Sequence, residues 1–473
     1  MWKGSMMSRS VKSIIALVVC AVLAACAFTA FGFSKSFGAN TDRSVGGKVI
    51  FFNFKPEGKD IWVDVANKYK ETHPGAYIDV QTPQSNNYED ELRTAVKKDP
   101  DAMPTLFQIN GPVGYAKWKD YTADLSNSPL YKQLTNPKLA IKDKDSKPVG
   151  VPYVTENYGL IYNKALLARY ADLHNSKLAP EEDGKSFEDQ ITSFKKLKEV
   201  ADDIQQRKDE LGVDGAFTSA GFDSSSDWRF KTHLANMPLY YEFNGDTKQP
   251  AEIKGSYLDN FRKIFDLYIS DSTTPVSQLS TKTGEDAVYE FALGKAVFYQ
   301  NGTWAWGDLS KAGIKPADVG MLPIYIGVNG EEKQGMATGS ENYWCINKKA
   351  SKKNQQATNA FLSWLLTSNY GKDALANKMG FATPFIGFPK AENPLVQAAV
   401  EYTAKPGKVP VKWVFLTMPS NGWKDDVGSD LLTYAQATKD GMTSIGAEKA
   451  WSTLKSAFVN GWAKEYKIAH AQG

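Results

Sequence analysis

Four short segments of the chain combine amide or carboxylate side chains with aromatic rings. They are Phe107-Gln108-Ile109-Asn110-Gly111, Pro152-Tyr153-Val154-Thr155-Glu156-Asn157-Tyr158, Gln300-Asn301-Gly302-Thr303-Trp304-Ala305-Trp306 and Ser340-Glu341-Asn342-Tyr343-Trp344. Amides and carboxylates form paired hydrogen bonds with hydroxyl groups, whereas the face of an indole packs on apolar C–H groups. A pyranose ring offers hydroxyls at its rim and C–H groups on its faces. The composition of the four segments therefore favours a carbohydrate-binding site.

Local motifs of common hydrolases, zinc proteases and nucleotide-binding enzymes do not occur in the sequence. Adjacent acids such as Asp202-Asp203 lie in Lys-rich helical sequence, where a solvated helix face explains them better than the paired carboxylates of a glycosidase. We therefore expect no catalytic residue, no metal and no cofactor, and we keep a glycan-active enzyme as the alternative. The four histidines are scattered along the chain: His73, His174, His233 and His470.

Alternating strand and helix patterns must position these segments. Lys48 to Phe54 is a short apolar run, Asp60 to Glu71 has apolar residues at helical spacing, and Ala76 to Val80 is a second strand. This order predicts a βαβ unit with a parallel sheet, and hence the α/β fold class. Open α/β sheets bind ligands at the carboxyl ends of their strands, which is where the four segments lie. Further along, a capping box at Ser186 predicts a helix that runs to Leu211.

The first 26 residues have the pattern of an export signal. Three basic residues within the first 12 positions precede an apolar run that ends at Leu23-Ala24-Ala25-Cys26. This ending resembles the lipobox of bacterial lipoproteins, which implies a signal peptide over 1–26, a lipid on Cys26 and a linker over 27–47. Because apolar residues continue to Phe37, an uncleaved signal anchor is the alternative. Either arrangement places the protein on the extracellular face of the cytoplasmic membrane.

Length, charge and cysteine content exclude several classes of protein. After the leader about 445 residues remain, which is long for one core and predicts two lobes. The net charge is only +3 and no basic stripe is present, so we expect no nucleic-acid partner. Cys20 and Cys26 lie in the leader, which leaves Cys345 alone and excludes an internal disulfide or a cysteine-rich zinc site.

Several motifs resemble the extracellular solute-binding proteins of the maltose-binding type, which serve carbohydrate ABC importers. Asn301-Gly302-Thr303-Trp304-Ala305-Trp306 resembles the Asn-Gly-Pro-Trp-Ala-Trp of that family. Glu156, followed by Leu160-Ile161-Tyr162-Asn163-Lys164, resembles the segment after its first inter-lobe crossover. Phe361-Leu362-Ser363-Trp364-Leu365-Leu366-Thr367 resembles a late helix, and Trp423 is similar in place to an aromatic residue that stacks on sugar. The likeness covers most of the chain after the leader.

The resemblance implies a two-lobed periplasmic-binding-protein-like fold of type II, with discontinuous lobes joined by hinge crossovers near Val154, Thr338 and position 390. The N-terminal lobe would comprise residues 48–154 and 340–390, and the C-terminal lobe residues 155–339 and 391–473. A ligand would bind between the lobes and be enclosed by a hinge rotation. We therefore expect a monomeric, lipid-anchored protein that captures an oligosaccharide and delivers it to the permease of an ABC importer.

The resemblance also implies roles for single side chains. Trp304 and Trp423 would stack on sugar rings, with core packing as the alternative for both. Glu156 would accept hydrogen bonds from sugar hydroxyls. Maltose binders carry an aromatic and charged pair where this chain has Gln108 and Asn110, so the resemblance does not point to maltose itself. The expected ligand-binding residues are Gln108, Asn110, Glu156, Asn157, Asp227, Trp228, Trp304, Glu341, Asn342 and Trp423.

A binder of a non-sugar solute, such as glycerol phosphate or a peptide, is a further alternative. Clustered arginines in the cleft would indicate a phosphate ligand. Among the neighbours in sequence of the expected ligand-binding residues, the only arginine is Arg229, which follows Trp228.

Overall fold

The computed structural model describes residues 46–471 apart from 85–86, 182–184, 220, 224–225 and 439–443. The predicted signal peptide, Cys26 and the linker up to residue 45 lie outside the described residues. Over the described part of the chain, the search for a helix of sufficient length and apolar character to cross a membrane finds none.

Twelve strands in the described part of the chain form two six-stranded sheets. The strands are β1 (Lys48–Phe52), β2 (Tyr77–Gln81), β3 (Leu106–Asn110), β4 (Ile141–Lys142), β5 (Pro148–Pro152), β6 (Glu156–Asn163), β7 (Gly215–Phe217), β8 (Ala296–Gly302), β9 (Val319–Leu322), β10 (Gln334–Gly339), β11 (Asn342–Ile346) and β12 (Val409–Lys412).

The first sheet has the strand order β2-β1-β3-β11-β5-β4. β1 pairs in parallel with β2 and β3, as the predicted βαβ unit requires. β11 is inserted antiparallel between β3 and β5, with Asn342 opposite Asn110 and Trp344 opposite Gln108. Because β11 runs against β3, its first residue lies at the edge of the sheet where β3 ends.

The second sheet is built around β6, which pairs antiparallel with β8, β9 and β10. β7 adds in parallel to β8, and β12 adds in parallel to β10. The first residues of β6, Glu156 and Asn157, pair with the last residues of β10, Gly339 and Thr338. The two places where the chain passes between the sheets therefore lie side by side.

Helices pack on both sheets. Those of eight residues or more are Lys59–Thr72, Tyr88–Ala95, Gly111–Trp118, Lys164–Ala171, Phe194–Gln206, Leu258–Ser270, Gly284–Ala292, Lys352–Thr367, Pro394–Ala404, Asn421–Ala437 and Ile445–Ala471. Shorter α-helical segments are Pro129–Lys132, Phe187–Gln190, Lys208–Leu211, Asn236–Glu242, Trp306–Lys311 and Asn369–Asp373.

The helix predicted from Ser186 to Leu211 is divided. The short segment Phe187–Gln190 ends at Ile191, whose ψ of 84° leaves the helical region. A new helix, Phe194–Gln206, then begins after Ser193, whose side chain accepts a hydrogen bond from the backbone N–H of Lys196. The predicted apolar stripe is buried as expected, but Ser193 rather than Ser186 caps the long helix.

Each sheet has its own hydrophobic core. The buried clusters on the first sheet draw on residues 49–154 and 344–385, and those on the second sheet draw on residues 158–337 and 395–462. No buried apolar cluster of the described chain combines residues from both groups. The expected two-lobed α/β fold with discontinuous lobes is therefore confirmed, and we call the units the first and the second lobe.

Candidate ligand-binding cleft

The ends of strands from both lobes converge where the chain crosses between them. Gln108 and Asn110 end β3 of the first lobe, and Glu156 begins β6 of the second lobe. Trp304 follows β8, next to β6 in the second sheet. These residues therefore lie in one region of the molecule, as expected for a ligand site at the ends of strands.

A buried ion pair joins the lobes in this region. Lys55 follows β1 of the first lobe, and its Nζ lies 2.7 Å from Oε1 of Glu156. The two side chains are only 8% and 4% exposed. Burial opposes the charged ammonium, but the carboxylates of Glu156 and Glu57 outweigh it and hold the pKa of Lys55 well above its usual range. The ammonium also lies 5.9 Å from the ring centroid of Trp304.

Aromatic rings of the second lobe surround Trp304. The centroid of its indole, which is partly exposed, lies 6.0 Å from Trp228, 5.3 Å from His233 and 6.5 Å from Trp413. We call these four residues the aromatic wall. Such contacts fix the orientations of Trp228 and Trp304, the two partly exposed rings of the wall, whose faces a ligand can cover. A Cβ at Gly302 would lie 2.1 Å from the indole, so only glycine lets Trp304 fold back across the strand.

The imidazole of His233 belongs to the aromatic wall as a neutral ring. It stacks on Tyr158 with centroids 4.5 Å apart, and the hydroxyl of Tyr158 donates to the backbone carbonyl of His233. Burial, reinforced by the positive charges of Lys424, Arg229 and Lys55, lowers the pKa of His233 to about 3. The ring therefore carries no charge at neutral pH.

Polar side chains on and beside the first lobe are already hydrogen-bonded to one another. The Nδ2 of Asn110 donates to Oε1 of Glu341 over 3.2 Å, and the backbone N–H of Gly111 donates to the carbonyl of Glu341 over 3.0 Å. We call Lys55, Asn110 and Glu341 the polar wall. Gln108, only 1% exposed, lies beneath it and supports it: its Nε2 donates to the hydroxyl of Tyr153 over 2.7 Å, and its Oε1 accepts from the N–H of Phe54.

Unlike charges from the two lobes also influence each other near the polar wall without forming a contact. Burial raises the pKa of Glu341 and lowers that of Lys424, and the opposite charge of each partly offsets the effect. The two side chains, both described, act on each other through their charges and form no hydrogen bond with each other. Lys424 lies on the helix Asn421–Ala437, so the second lobe presents a cation toward the polar wall.

Trp423 does not reach the cleft. Its side chain is 1% exposed, its indole N–H donates to the carbonyl of Phe458 over 3.0 Å, and its ring meets Trp462 edge-on at 5.3 Å. The residue packs in the core between the last two helices, so the expected stacking role is corrected to core packing. The motif identified the correct helix but not the side of the helix on which Trp423 lies. Successive helical residues point about 100° apart, so Trp423 faces the core whereas its neighbour Lys424 faces the polar wall.

The other predicted residues divide between the cleft and its supports. Trp228 belongs to the aromatic wall, and the carboxylate of Asp227 binds Lys231 at 2.9 Å. Oδ1 of Asn157 accepts a hydrogen bond of 2.7 Å from Thr338, which ties β6 to β10. Asn342 is fully buried, and neither polar atom of its amide has a hydrogen-bond partner.

Several contributors were not predicted from the sequence: Lys55, His233, Trp413 and Lys424. The position of Lys55 after the end of β1 is visible in the sequence, but the distant partner that brings it to the site is not. Trp413 follows the short strand β12 in the same way. His233 and Lys424 lie in helical segments, where no local pattern distinguishes a cleft residue from an ordinary surface or core position.

No group of three or more histidine, cysteine, aspartate or glutamate side chains gathers into a possible metal site within the described ranges.

Two α/β lobes with separate cores that meet at the chain crossovers are typical of solute-binding proteins. Residues 64–406 match the family described as bacterial extracellular solute-binding protein, and the chain belongs to that family. The expectation drawn from the sequence motifs is thereby confirmed.

Solved structures with similar folds extend over nearly the whole described chain. RafE in complex with raffinose is 18% identical, with 89% of this chain and 99% of RafE covered at a TM-score of 0.65. The GacH receptor of Streptomyces glaucescens, solved unliganded and with acarbose, is 18% identical, with 90% and 100% covered at 0.64. A sugar transporter from Bacillus licheniformis in complex with stachyose is 18% identical, with 89% and 100% covered at 0.62. At these identities the similarity shows the fold.

Proposed function

We propose that the protein is a lipid-anchored extracellular carbohydrate-binding protein that captures an oligosaccharide between its lobes and delivers it to the permease of an ABC importer. The observation that carries this proposal is the proximity of an indole face, Trp304, to a buried carboxylate, Glu156, with one ammonium group near both. Membership of the solute-binding family supports the proposal.

The chemistry of the two walls suits a sugar. The aromatic wall offers apolar ring faces to C–H groups, and the polar wall offers donors and acceptors to hydroxyl groups. The similar structures named above hold raffinose, acarbose and stachyose, which supports an oligosaccharide as the ligand class. Glu156 and Glu341 are the carboxylates that would accept from hydroxyls.

Separate hydrophobic cores support a binding cycle in which the lobes move as rigid bodies. A ligand that contacts both walls stabilises the closed arrangement, because the open arrangement offers only one wall at a time. A permease can then distinguish loaded from empty protein by the relative position of the lobes. The cycle breaks no bond in the sugar, and the protein acts as a monomer.

A phosphate-bearing solute fits the cleft less well. The guanidinium of Arg229 lies 5.2 Å from the ring centroid of Trp228 and 5.9 Å from that of Tyr299, and the side chain is buried. Its charge is therefore engaged with aromatic rings in the second lobe.

Titration calorimetry of the protein without residues 1–26, against a panel of di- to tetrasaccharides, tests the function. We expect saturable binding of at least one sugar, recovered intact by chromatography afterwards. New reducing ends would favour the glycan-active enzyme instead. Absence of binding to every sugar, together with binding of glycerol phosphate or a peptide, would favour a non-sugar solute.

The anchor requires a separate experiment. In cells of a bacterium that processes lipoproteins, replacement of Cys26 by alanine should abolish incorporation of labelled fatty acid, whereas replacement of Cys20 should not. Absence of label in the unaltered protein, with the leader still attached, would favour the uncleaved signal anchor, and labelling that survives Cys26→Ala would exclude Cys26 as the lipidated residue.

A further inference from the structure

The ammonium of Lys55 lies beside both groups that the proposed function assigns to the ligand. It is 2.7 Å from Oε1 of Glu156 and 5.9 Å from the centroid of the Trp304 ring. Lys55 belongs to the first lobe, whereas Glu156 and Trp304 belong to the second lobe. One side chain therefore crosses the cleft and occupies the hydrogen-bonding carboxylate and part of the indole face together.

The ion pair is not an ordinary stabilising contact of the fold. Removing two charges from water offsets much of their mutual attraction, so a buried pair adds little net stability compared with apolar packing. Loss of one partner is nevertheless costly, because the other charge is then left buried and unpaired. A cleft can avoid this cost by opening, since water then reaches the remaining charge.

We propose that Lys55 substitutes for the ligand in the empty protein: it holds the two lobes together through Glu156 until a sugar hydroxyl binds that carboxylate. A hydroxyl can replace the ammonium at Glu156 because it also donates a hydrogen bond. It can accept a bond from Lys55 at the same time, so neither charge is left unpaired. This inference rests on the proposed function for the displacement step, but the holding step requires no ligand.

The other contacts between the lobes in the described chain do not replace this bridge. A Cβ at Gly111 of the first lobe would lie 3.4 Å from the side chain of Leu416 of the second lobe, so the lobes touch there as well. The helix Gly111–Trp118 and the segment Phe415–Thr417 pack together there, and at a crossover the N–H of Thr155 donates to the carbonyl of Ala382 over 2.7 Å. None of these uncharged contacts can compensate the charge that Glu156 retains when Lys55 is lost, so we expect the lobes to separate when the ion pair is broken.

Distance measurement between spin labels in the protein without its leader, with no sugar present, tests the holding step. Lys70 of the first lobe and Asp209 of the second lobe are exposed and can be replaced by cysteine for labelling. The native thiol of Cys345 is fully buried, and burial raises its pKa, so it should not react. The distance distribution of this doubly labelled protein is the reference for all variants.

We expect Lys55→Met to shift the distribution from that reference to longer distances and to make closure depend on added sugar. Lys68→Met is the matched control, because the Lys68–Glu71 pair is exposed and lies within one helix. The exchanged pair Lys55→Glu with Glu156→Lys should restore the reference distribution. An unchanged distribution for Lys55→Met, or an exchanged pair that stays open, would overturn the inference.

Two further measurements keep the result interpretable. Circular dichroism and thermal melting report whether each variant folds, and Glu156→Gln, which preserves volume, breaks the charge pair from the other side if Lys55→Met fails to fold. The distances are measured without sugar, whereas the proposed function is tested by calorimetry on the unmodified protein. Failure of the holding step would therefore leave the proposed function untouched, and failure of the proposed function would leave the holding step untouched.

Discussion

The polar wall and the aromatic wall differ in how many of their ligand-binding groups already have partners within the protein. Lys55 is paired with Glu156, and Asn110 with Glu341, so a ligand must exchange existing bonds for new ones on this side. Trp304 remains partly exposed and can lose water-accessible apolar area without breaking a bond. Exchange of hydrogen bonds gains little net free energy, whereas burial of apolar area gains more. The aromatic wall should therefore supply most of the affinity, and the polar wall most of the selectivity.

The largest effect should come from a tryptophan that lies outside the aromatic wall. Trp423→Ala removes a fully buried indole from the core of the second lobe and should lower the free energy of unfolding by about 3–5 kcal/mol. Urea denaturation followed by tryptophan fluorescence measures this loss. Sugar affinity, determined well below the unfolding transition, should stay unchanged; a specific loss of affinity would return Trp423 to the ligand site.

Trp304→Ala should show the opposite pattern. The indole is a central, partly exposed ring, so its loss should weaken sugar binding by about 2 kcal/mol while the fold stays intact. Titration calorimetry measures the change. Trp364→Ala is the matched control, because Trp364 is also partly buried but packs on Tyr69 in the first lobe. Equal affinities of the Trp304 and Trp364 variants would contradict the role of the aromatic wall.

His233 provides a test based on pH. Its pKa is about 3 in the folded protein and about 6.5 in the unfolded chain, so between these values the unfolded chain binds more protons. Stability should therefore fall as pH decreases below about 6.5, by at most about 1.4 kcal/mol per pH unit from this residue. His233→Phe should show a shallower decrease in urea denaturation at pH 7 and pH 5. Identical slopes would mean that His233 is protonated in the fold.

The smallest effect should come from the polar wall. Asn110→Ala removes one hydrogen bond to Glu341 and should weaken sugar binding by about 1 kcal/mol, because the bond is exchanged rather than newly made on ligand binding. Asn329→Ala, at an exposed turn, is the control in the same calorimetric titration. A loss larger than that of Trp304→Ala would reverse the ranking of the two walls.

The sequence predicted the architecture more completely than the site. Strand ends and a tryptophan motif pointed to Glu156 and Trp304, because these positions follow from local patterns and from the rule that ligands bind at strand ends, whereas Trp228 was expected only from the family resemblance. Trp423 was misplaced because the two sides of a helix that packs on both core and cleft look alike in sequence. Lys55 was overlooked because its importance depends on a partner 101 residues away, and local patterns do not report such a pairing.

The position of β11 has a consequence for how the chain acquires its structure. This strand lies in the middle of the first sheet, between β3 and β5, yet it is made only after residues 156–339 of the second lobe. During synthesis the first lobe therefore remains incomplete while most of its neighbour is translated. The second lobe is completed later still, because its core includes residues 395–462. Contacts over such long separations slow folding, so we expect neither lobe to reach its final structure before most of the chain is made, and both to depend on protection from premature aggregation.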